Sequence, residues 1–178
     1  KRMLAKPKYL QKIFLFCLGL SIGAAFCMKW MEADFIQNGN LFTIIGLEIS
    51  YSKEQLMILL GGLSQPVKMI LCYHLYFDFA FMAGVYPGIA AFCLLVRSKT
   101  GNRNTRSILF ASALLQTLAW GCDMYENYCL LTWIQSPVIG DEFRFYHPAV
   151  YLKWTIALGG VFLSLTCWVV QKIRTGNK

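Results

Sequence analysis

An apolar run from Ile108 to Ile134 carries two carboxylates, and this combination restricts the fold more than any other part of the sequence. The run is too long for anything except a deep core helix or a membrane span. A charge at bilayer depth is costly unless it is paired or hydrated. Asp123 and Glu126 therefore need protein or water around them.

Helix geometry gathers the polar side chains of this run on one face. Since that face cannot lie against lipid, it must pack on other helices or line a wet cavity. At about 100° per residue, one narrow stripe holds the small and polar residues Ser112, Gln116, Ala119, Asp123 and Asn127, with Glu126 at its edge.

The composition indicates a membrane protein. Of 178 residues, 57% are hydrophobic and only 15% are charged, which is outside the range of ordinary soluble domains. We therefore expect an all-α integral membrane protein, a four-helix transmembrane bundle that forms a single polytopic domain over 1–178. The predicted spans are about 13–31, 67–96, 108–134 and 150–171. Pro148 is expected to begin the helix that contains the last span.

The positive charge is placed as in a membrane protein and not as in a nucleic-acid-binding one. The net charge is +8, but 12 of the 17 Lys and Arg residues flank the apolar runs on one predicted side. This positive-inside pattern predicts a multi-pass protein with both termini in the cytoplasm. No nucleic-acid partner is expected. The twelve residues are Lys1, Arg2, Lys6, Lys8, Lys12, Arg97, Lys99, Arg103, Arg106, Lys172, Arg174 and Lys178.

Residues 32–65 are predicted to form an extracytoplasmic cap. Asn38-Gly39-Asn40 is a turn signal and Leu41–Ile49 has strand character, which together indicate a short β-hairpin. Ser52 and Gln55 have the spacing of a capping box. A short amphipathic helix from Lys53 to about Leu63 should follow, too short to cross a bilayer.

The seven cysteines all lie in the apolar runs, and no C-x-x-C pair is present. This argues against a thiol oxidoreductase and against a secreted disulfide framework. Buried Cys acting as a small hydrophobic residue is the simplest interpretation.

Several polar residues from different spans should lie at one depth. At 1.5 Å per residue, counting from the cytoplasmic ends places Asp78, Asp123, Glu126, Asn127 and Lys153 about 24–30 Å up, in the outer half of the membrane. His74 lies one turn further out, four residues from Asp78 and close enough to interact with it. With Gln116 from the polar stripe, the candidate ligand- or ion-binding residues are His74, Asp78, Gln116, Asp123, Glu126, Asn127 and Lys153.

This cluster permits several kinds of chemistry. Lys153 can neutralise one carboxylate, so the remaining charge needs a retained proton, a bound cation or water. The ligand set His74, Asp78, Asp123 and Glu126 suits a metal, which makes a divalent cation the candidate cofactor. No H-E-x-x-H, G-x-S-x-G or P-loop pattern is present, and no catalytic residue is assigned.

The favoured function is a small four-span protein whose outward-opening polar pocket binds a cation, a proton or a polar or lipid headgroup. Membrane lipid is the expected partner, with a membrane-protein partner or a second copy as further candidates. Two alternatives stay open. One is an intramembrane enzyme that uses the carboxylate and His cluster as acid and base. The other is an accessory structural subunit of a membrane complex, in which the polar residues only hold helices together.

Overall fold

The chain folds into four long helices with a small cap at one end, and helices make up about 86% of it. The computed structural model describes residues 7–176. All four long helices are long and apolar enough to cross a membrane. The helices are α1 (Pro7–Met31), α2 (Lys53–Gly61) in the cap, α3 (Gln65–Lys99), α4 (Arg103–Gln135) and α5 (Phe143–Gly176). Among the predicted basic flanks, Lys1, Arg2, Lys6 and Lys178 lie outside the described residues.

Each predicted span lies inside one of these helices, and the helices extend beyond it. Hydropathy marks only the part of a helix that suits lipid, so polar turns at either end are missed. The last helix, α5, begins at Phe143 and not at Pro148. The ring centroids of Phe143 and Tyr146 lie 6.1 and 5.0 Å from that of Trp133. This aromatic packing holds the extra turn before the proline.

The predicted hairpin is present. β1 (Ile36–Gln37) pairs antiparallel with β2 (Asn40–Leu41). The two residues between them have positive φ angles, 50° for Asn38 and 78° for Gly39. These are the residue types that adopt this backbone conformation most readily.

The strand character predicted for Leu41–Ile49 is wrong beyond Leu41, because Gly46–Ser50 forms a π-helix. Ile44 and Leu47 are 8% and 0% exposed. Their three-residue spacing places both on one face of a helical segment. Burial of that face outweighs the weak β propensity of the branched residues.

The cap covers the largest hydrophobic core. Ser52 begins α2 with the predicted capping box: its hydroxyl oxygen accepts from the Gln55 N–H, and the Gln55 side chain accepts from the Ser52 N–H. The helix ends at Gly61, two residues before the predicted end. Its buried leucines join residues from the cap-side ends of α3, α4 and α5. The cap is therefore an ordered part of the fold.

The third long helix organises the bundle. α3 packs against α1, α4 and α5, whereas α1 packs chiefly on α3. A Cβ added at Gly84 would lie 2.5 Å from Ser21 Oγ and 2.8 Å from the Cys17 carbonyl oxygen. Gly84 and Gly88 thus form a small-x-x-x-small contact that lets the two backbones approach closely. All seven cysteines are free thiols.

Candidate functional site

Lys153 is the centre of a buried ion-pair cluster between α4, α5 and the cap. Its ammonium lies 2.6 Å from Asp123 Oδ1, 2.6 Å from Glu126 Oε2 and 3.6 Å from Glu48 Oε2. Asp123 and Lys153 are 3% and 5% exposed, and Glu126 is 0% exposed. Lys153 was predicted to neutralise one carboxylate, and the structure places its ammonium against both acids of α4.

Three elements bring these side chains together. Asp123 and Glu126 are three residues apart on α4, so they project from neighbouring positions of one face. Lys153 faces them from α5. Glu48 comes from the π-helix, which the Tyr146 hydroxyl ties to α5 by donating to the Leu47 carbonyl at 3.3 Å. The cap therefore completes the cluster and does more than cover it.

Neutral side chains orient the carboxylates. The Tyr86 hydroxyl donates to Asp123 Oδ2 at 2.7 Å, so both oxygens of Asp123 are engaged. The Trp154 indole donates to Glu48 Oε2 at 3.1 Å. Such bonds to charged acceptors are stronger than neutral ones. They fix the positions of two of the three acids.

The cluster holds more acid than base. Three carboxylates surround one ammonium. Among residues 7–176 neither oxygen of Glu126 has a hydrogen-bond partner, and Oε2 is held only by its ion pair with Lys153. A buried, unpaired carboxylate oxygen is destabilising. The arrangement therefore favours a bound proton, a cation or a hydrogen-bond donor from outside the chain.

Asp78 and Asn127 form the nearest polar contact. Asn127 Nδ2 donates to Asp78 Oδ2 at 2.6 Å, joining α3 to α4. These two residues were predicted to lie at the depth of Asp123, and Asp78 lines the same cavity as Asp123 and Lys153.

His74 is close to Glu32 and does not form the predicted pair with Asp78. His74 Nε2 lies 4.0 Å from Glu32 Oε1, and the ring packs 5.3 Å from that of Phe35. His74 is 0% exposed. Within the described part of the chain neither imidazole nitrogen has a hydrogen-bond partner. The helix spacing alone could not predict that the cap would supply the neighbour.

Gln116 is not part of the cluster. It lies seven residues before Asp123, about 10 Å along α4. Its amide donates to the backbone oxygens of Ser112 and Ile156 at 3.3 Å each, and it lies against Gly160. Gln116 therefore joins α4 to α5 below the site.

A cavity of about 280 Å³ opens beside the cluster, between α1, α3 and α5 and beneath the cap. Its size is near the lower end of small-molecule sites. The polar side chains of the lining are concentrated toward the cap, where Ile44 and Ile45 also contribute, and the other end is apolar. The polar lining comprises Lys29, Glu32, Glu48, His74, Asp78, Tyr86, Asp123 and Lys153. The apolar lining includes Val85, Ile89, Ala157, Leu158 and Val161.

The predicted metal ligands do not form a metal site. Among residues 7–176, no group of three or more His, Cys, Asp or Glu side chains is placed to hold a metal ion. The Lys153 ammonium occupies the position between Asp123 and Glu126 that a cation would otherwise fill.

Four residues of the polar lining were not predicted from the sequence: Lys29, Glu32, Glu48 and Tyr86. Glu48 had a usable signal, because it is a lone carboxylate in the aliphatic segment from Leu41 to Ile49. Glu32 follows α1 directly, where an acid is unremarkable. Tyr86 had no signal, since a tyrosine in an apolar helix is usually a core or interfacial residue.

Comparison with known proteins gives no match. No family model, no curated protein and no solved structure is similar to this chain. The function of the site therefore has to be inferred from its geometry and chemistry.

Proposed function

We propose that the protein is an all-α integral membrane protein, a single polytopic four-span domain that binds an amphipathic ligand in the cavity beside Lys153. The observation that carries the proposal is the division of that cavity into a polar end at the cap and an apolar end along α3 and α5. A molecule with a polar head and a hydrocarbon chain matches both ends.

The charge distribution supports an orientation with both termini in the cytoplasm and the cap outside. The basic residues of the loop between α3 and α4 then face the cytoplasm. α3 has 35 residues and is about 52 Å long at 1.5 Å per residue. The hydrocarbon layer is about 30 Å thick. The part of α3 that exceeds this thickness extends to the cap. The Lys153 cluster then lies near the outer boundary of the hydrocarbon layer.

The packing of α1 and α5 supports entry of the ligand from the bilayer. Both helices pack on α3, and both contribute side chains to the cavity wall. The gap between them faces the outer leaflet in this orientation. A lipid-like molecule would move its chain through this gap while its head stays at the level of the cap.

Unpaired polar groups favour a ligand site over an accessory subunit whose polar residues only join helices. Interhelical adhesion is served by neutral Asn, Gln, Ser and Thr. Here both His74 nitrogens and both Glu126 oxygens are buried without hydrogen bonds among the described residues. Catalysis by the carboxylates would be a further use of the same site, and no reaction is proposed.

Blocking the cavity tests the proposal. Purified protein in nanodiscs of a zwitterionic phospholipid is heated with dodecylamine, dodecanol or dodecanoate. A ligand that binds only the folded state raises the unfolding midpoint. At least one of the three ligands should stabilise the parent. None should stabilise Ala157→Phe, because the new ring takes up space in the cavity that Ala157 lines. Ala111→Phe, on an exposed position of α4, should respond like the parent. If none of the three stabilises the parent more than Ala157→Phe, the proposed function is wrong.

A further inference from the structure

The charges that line the polar end of the cavity are unbalanced. Four acidic residues are among those that line it, Glu32, Glu48, Asp78 and Asp123, against the two basic residues Lys29 and Lys153. Full ionisation would leave an excess of two negative charges there. The Glu126 carboxylate, behind Lys153, adds a third.

Neither ammonium is placed to receive an anionic head. Lys153 is already 2.6 Å from Asp123 and 2.6 Å from Glu126. Lys29 contacts Glu32 at the rim, and its side chain is 78% exposed. A phosphate or carboxylate entering the cavity would therefore meet carboxylates before any unengaged cation of the described lining.

His74 supplies a second, independent observation. It lines the cavity, is fully buried, and has no hydrogen bond on either nitrogen within residues 7–176. A neutral imidazole has one nitrogen that accepts a hydrogen bond. A ligand N–H would donate a hydrogen bond to that nitrogen. The nearest acid is Glu32, whose Oε1 lies 4.0 Å from His74 Nε2 and would pair with the positive charge of the ligand.

We infer that the cavity is selective for amphiphiles with a cationic ammonium head, held by His74 and the Glu32, Asp78 and Glu48 carboxylates. This inference rests on the proposed function and specifies its ligand class. An ammonium group has three N–H donors and no acceptor, so it matches the carboxylates and the imidazole of this lining. Like charges at close range would reject anionic heads of the same chain length.

The test compares dodecylamine, dodecanol and dodecanoate, which share one chain length and differ in head charge. In the zwitterionic nanodiscs at neutral pH, the parent should bind dodecylamine at least about tenfold more tightly than dodecanol, a difference typical of a partly buried charge pair. Dodecanoate should give no stabilisation beyond that seen with Ala157→Phe.

Neutralising the acids separates charge recognition from packing. Glu32→Gln and Asp78→Asn should each weaken dodecylamine binding by about tenfold and leave dodecanol binding unchanged. Asp141→Asn, an exposed acid outside the cavity, should change neither. If Asp78→Asn fails to fold, Glu32→Gln at the rim still decides the question.

The outcomes distinguish the two claims. Equal binding of dodecylamine and dodecanol, or tighter binding of dodecanoate, would overturn the cationic selectivity. The cavity itself would still be supported if Ala157→Phe lost the stabilisation by these ligands. An unchanged amine affinity in Glu32→Gln would also overturn it. No binding of any of the three would overturn the proposed function as well.

Discussion

The Lys153 ammonium lies 2.6 Å from Asp123 Oδ1, and both side chains are almost fully buried. The pair joins α5 to α4, and the same ammonium also contacts Glu126 of α4 at 2.6 Å. A charge pair removed from water depends on its partner, because either charge left alone is far more costly than the intact pair. Lys153 is therefore a structural requirement of the cluster as well as its only described base.

Replacing Lys153 should strongly destabilise the protein, and removing a carboxylate as well should restore part of the lost stability. Lys153→Met leaves three acids without a counter-ion and should lower the free energy of unfolding by about 3–5 kcal/mol. Lys153→Met with Asp123→Asn should recover much of that loss, measured by thermal unfolding in nanodiscs. Lys99→Met, at the exposed end of α3, is the control and should have little effect. Strictly additive losses in the double variant would mean that the two residues do not share a site.

The close approach of α1 to α3 should be sensitive to one methyl group. Gly84→Ala would place its Cβ 2.5 Å from Ser21 Oγ and 2.8 Å from the Cys17 carbonyl oxygen, so α1 must move and the unfolding midpoint should fall. At Gly159 nothing lies within 4 Å of a new Cβ. Gly159→Ala should therefore be neutral or stabilising by about 0.5–1 kcal/mol. A stabilising effect of Gly84→Ala would contradict the contact.

The orientation of the helices can be tested by labelling introduced thiols in closed vesicles. Cysteine at Asn102, in the basic loop between α3 and α4, should react only with reagents on the cytoplasmic side. Cysteine at Asp141, in the connection before α5, should react only from outside. Both positions are exposed, and the parent, with its seven native thiols, gives the background. Reaction of both from the same side would contradict the four-span topology.

Low pH should destabilise the connection between α4 and α5. The Glu142 carboxylate accepts hydrogen bonds from the Gly140 backbone N–H at 2.8 Å and the Trp133 indole at 3.0 Å, and these bonds lower the pKa of Glu142 below its usual value. A lowered pKa contributes stability above the unfolded value of about 4.3. That contribution is lost as the pH falls through the folded value.

Glu142→Gln should therefore destabilise the protein at neutral pH, and its difference from the parent should shrink in acid. Unfolding midpoints measured from about pH 7 to about pH 3 test this. Asp141→Asn, at the exposed neighbouring acid, should show no such convergence. A difference between Glu142→Gln and the parent that stays constant across this range would contradict the role given to these hydrogen bonds.

Long apolar runs predicted the four helices well, because their length leaves few alternatives. The hairpin and the capping box of α2 were equally predictable, since Asn38-Gly39 and Ser52 act through local backbone chemistry. The π-helix at Gly46–Ser50 was not. Its form depends on burial of Leu47 against helices that are distant in sequence.

The candidate site was predictable in part for the same reason. Helix rise and spacing placed Asp123, Glu126 and Lys153 at one depth, and the structure brings them into contact. The contributions of Glu32 and Glu48 depend on how the cap folds back on the bundle, which no periodicity encodes. His74 lines the same cavity as Asp78, but its neighbour is Glu32 and not Asp78.

The fluorescence of Trp154 can show directly whether one amphiphile occupies the cavity beside Lys153. Trp154 lines the cavity, and its indole donates to Glu48. A dodecylamine carrying bromine on its chain quenches nearby indole fluorescence, and Trp154→Phe isolates the Trp154 signal by difference. Quenching of the Trp154 fluorescence should saturate at one amine molecule per protein and be lost in Ala157→Phe. Quenching that rises without saturation, and equally in Ala157→Phe, would contradict the account, because the amine would then reach Trp154 only from the surrounding lipid.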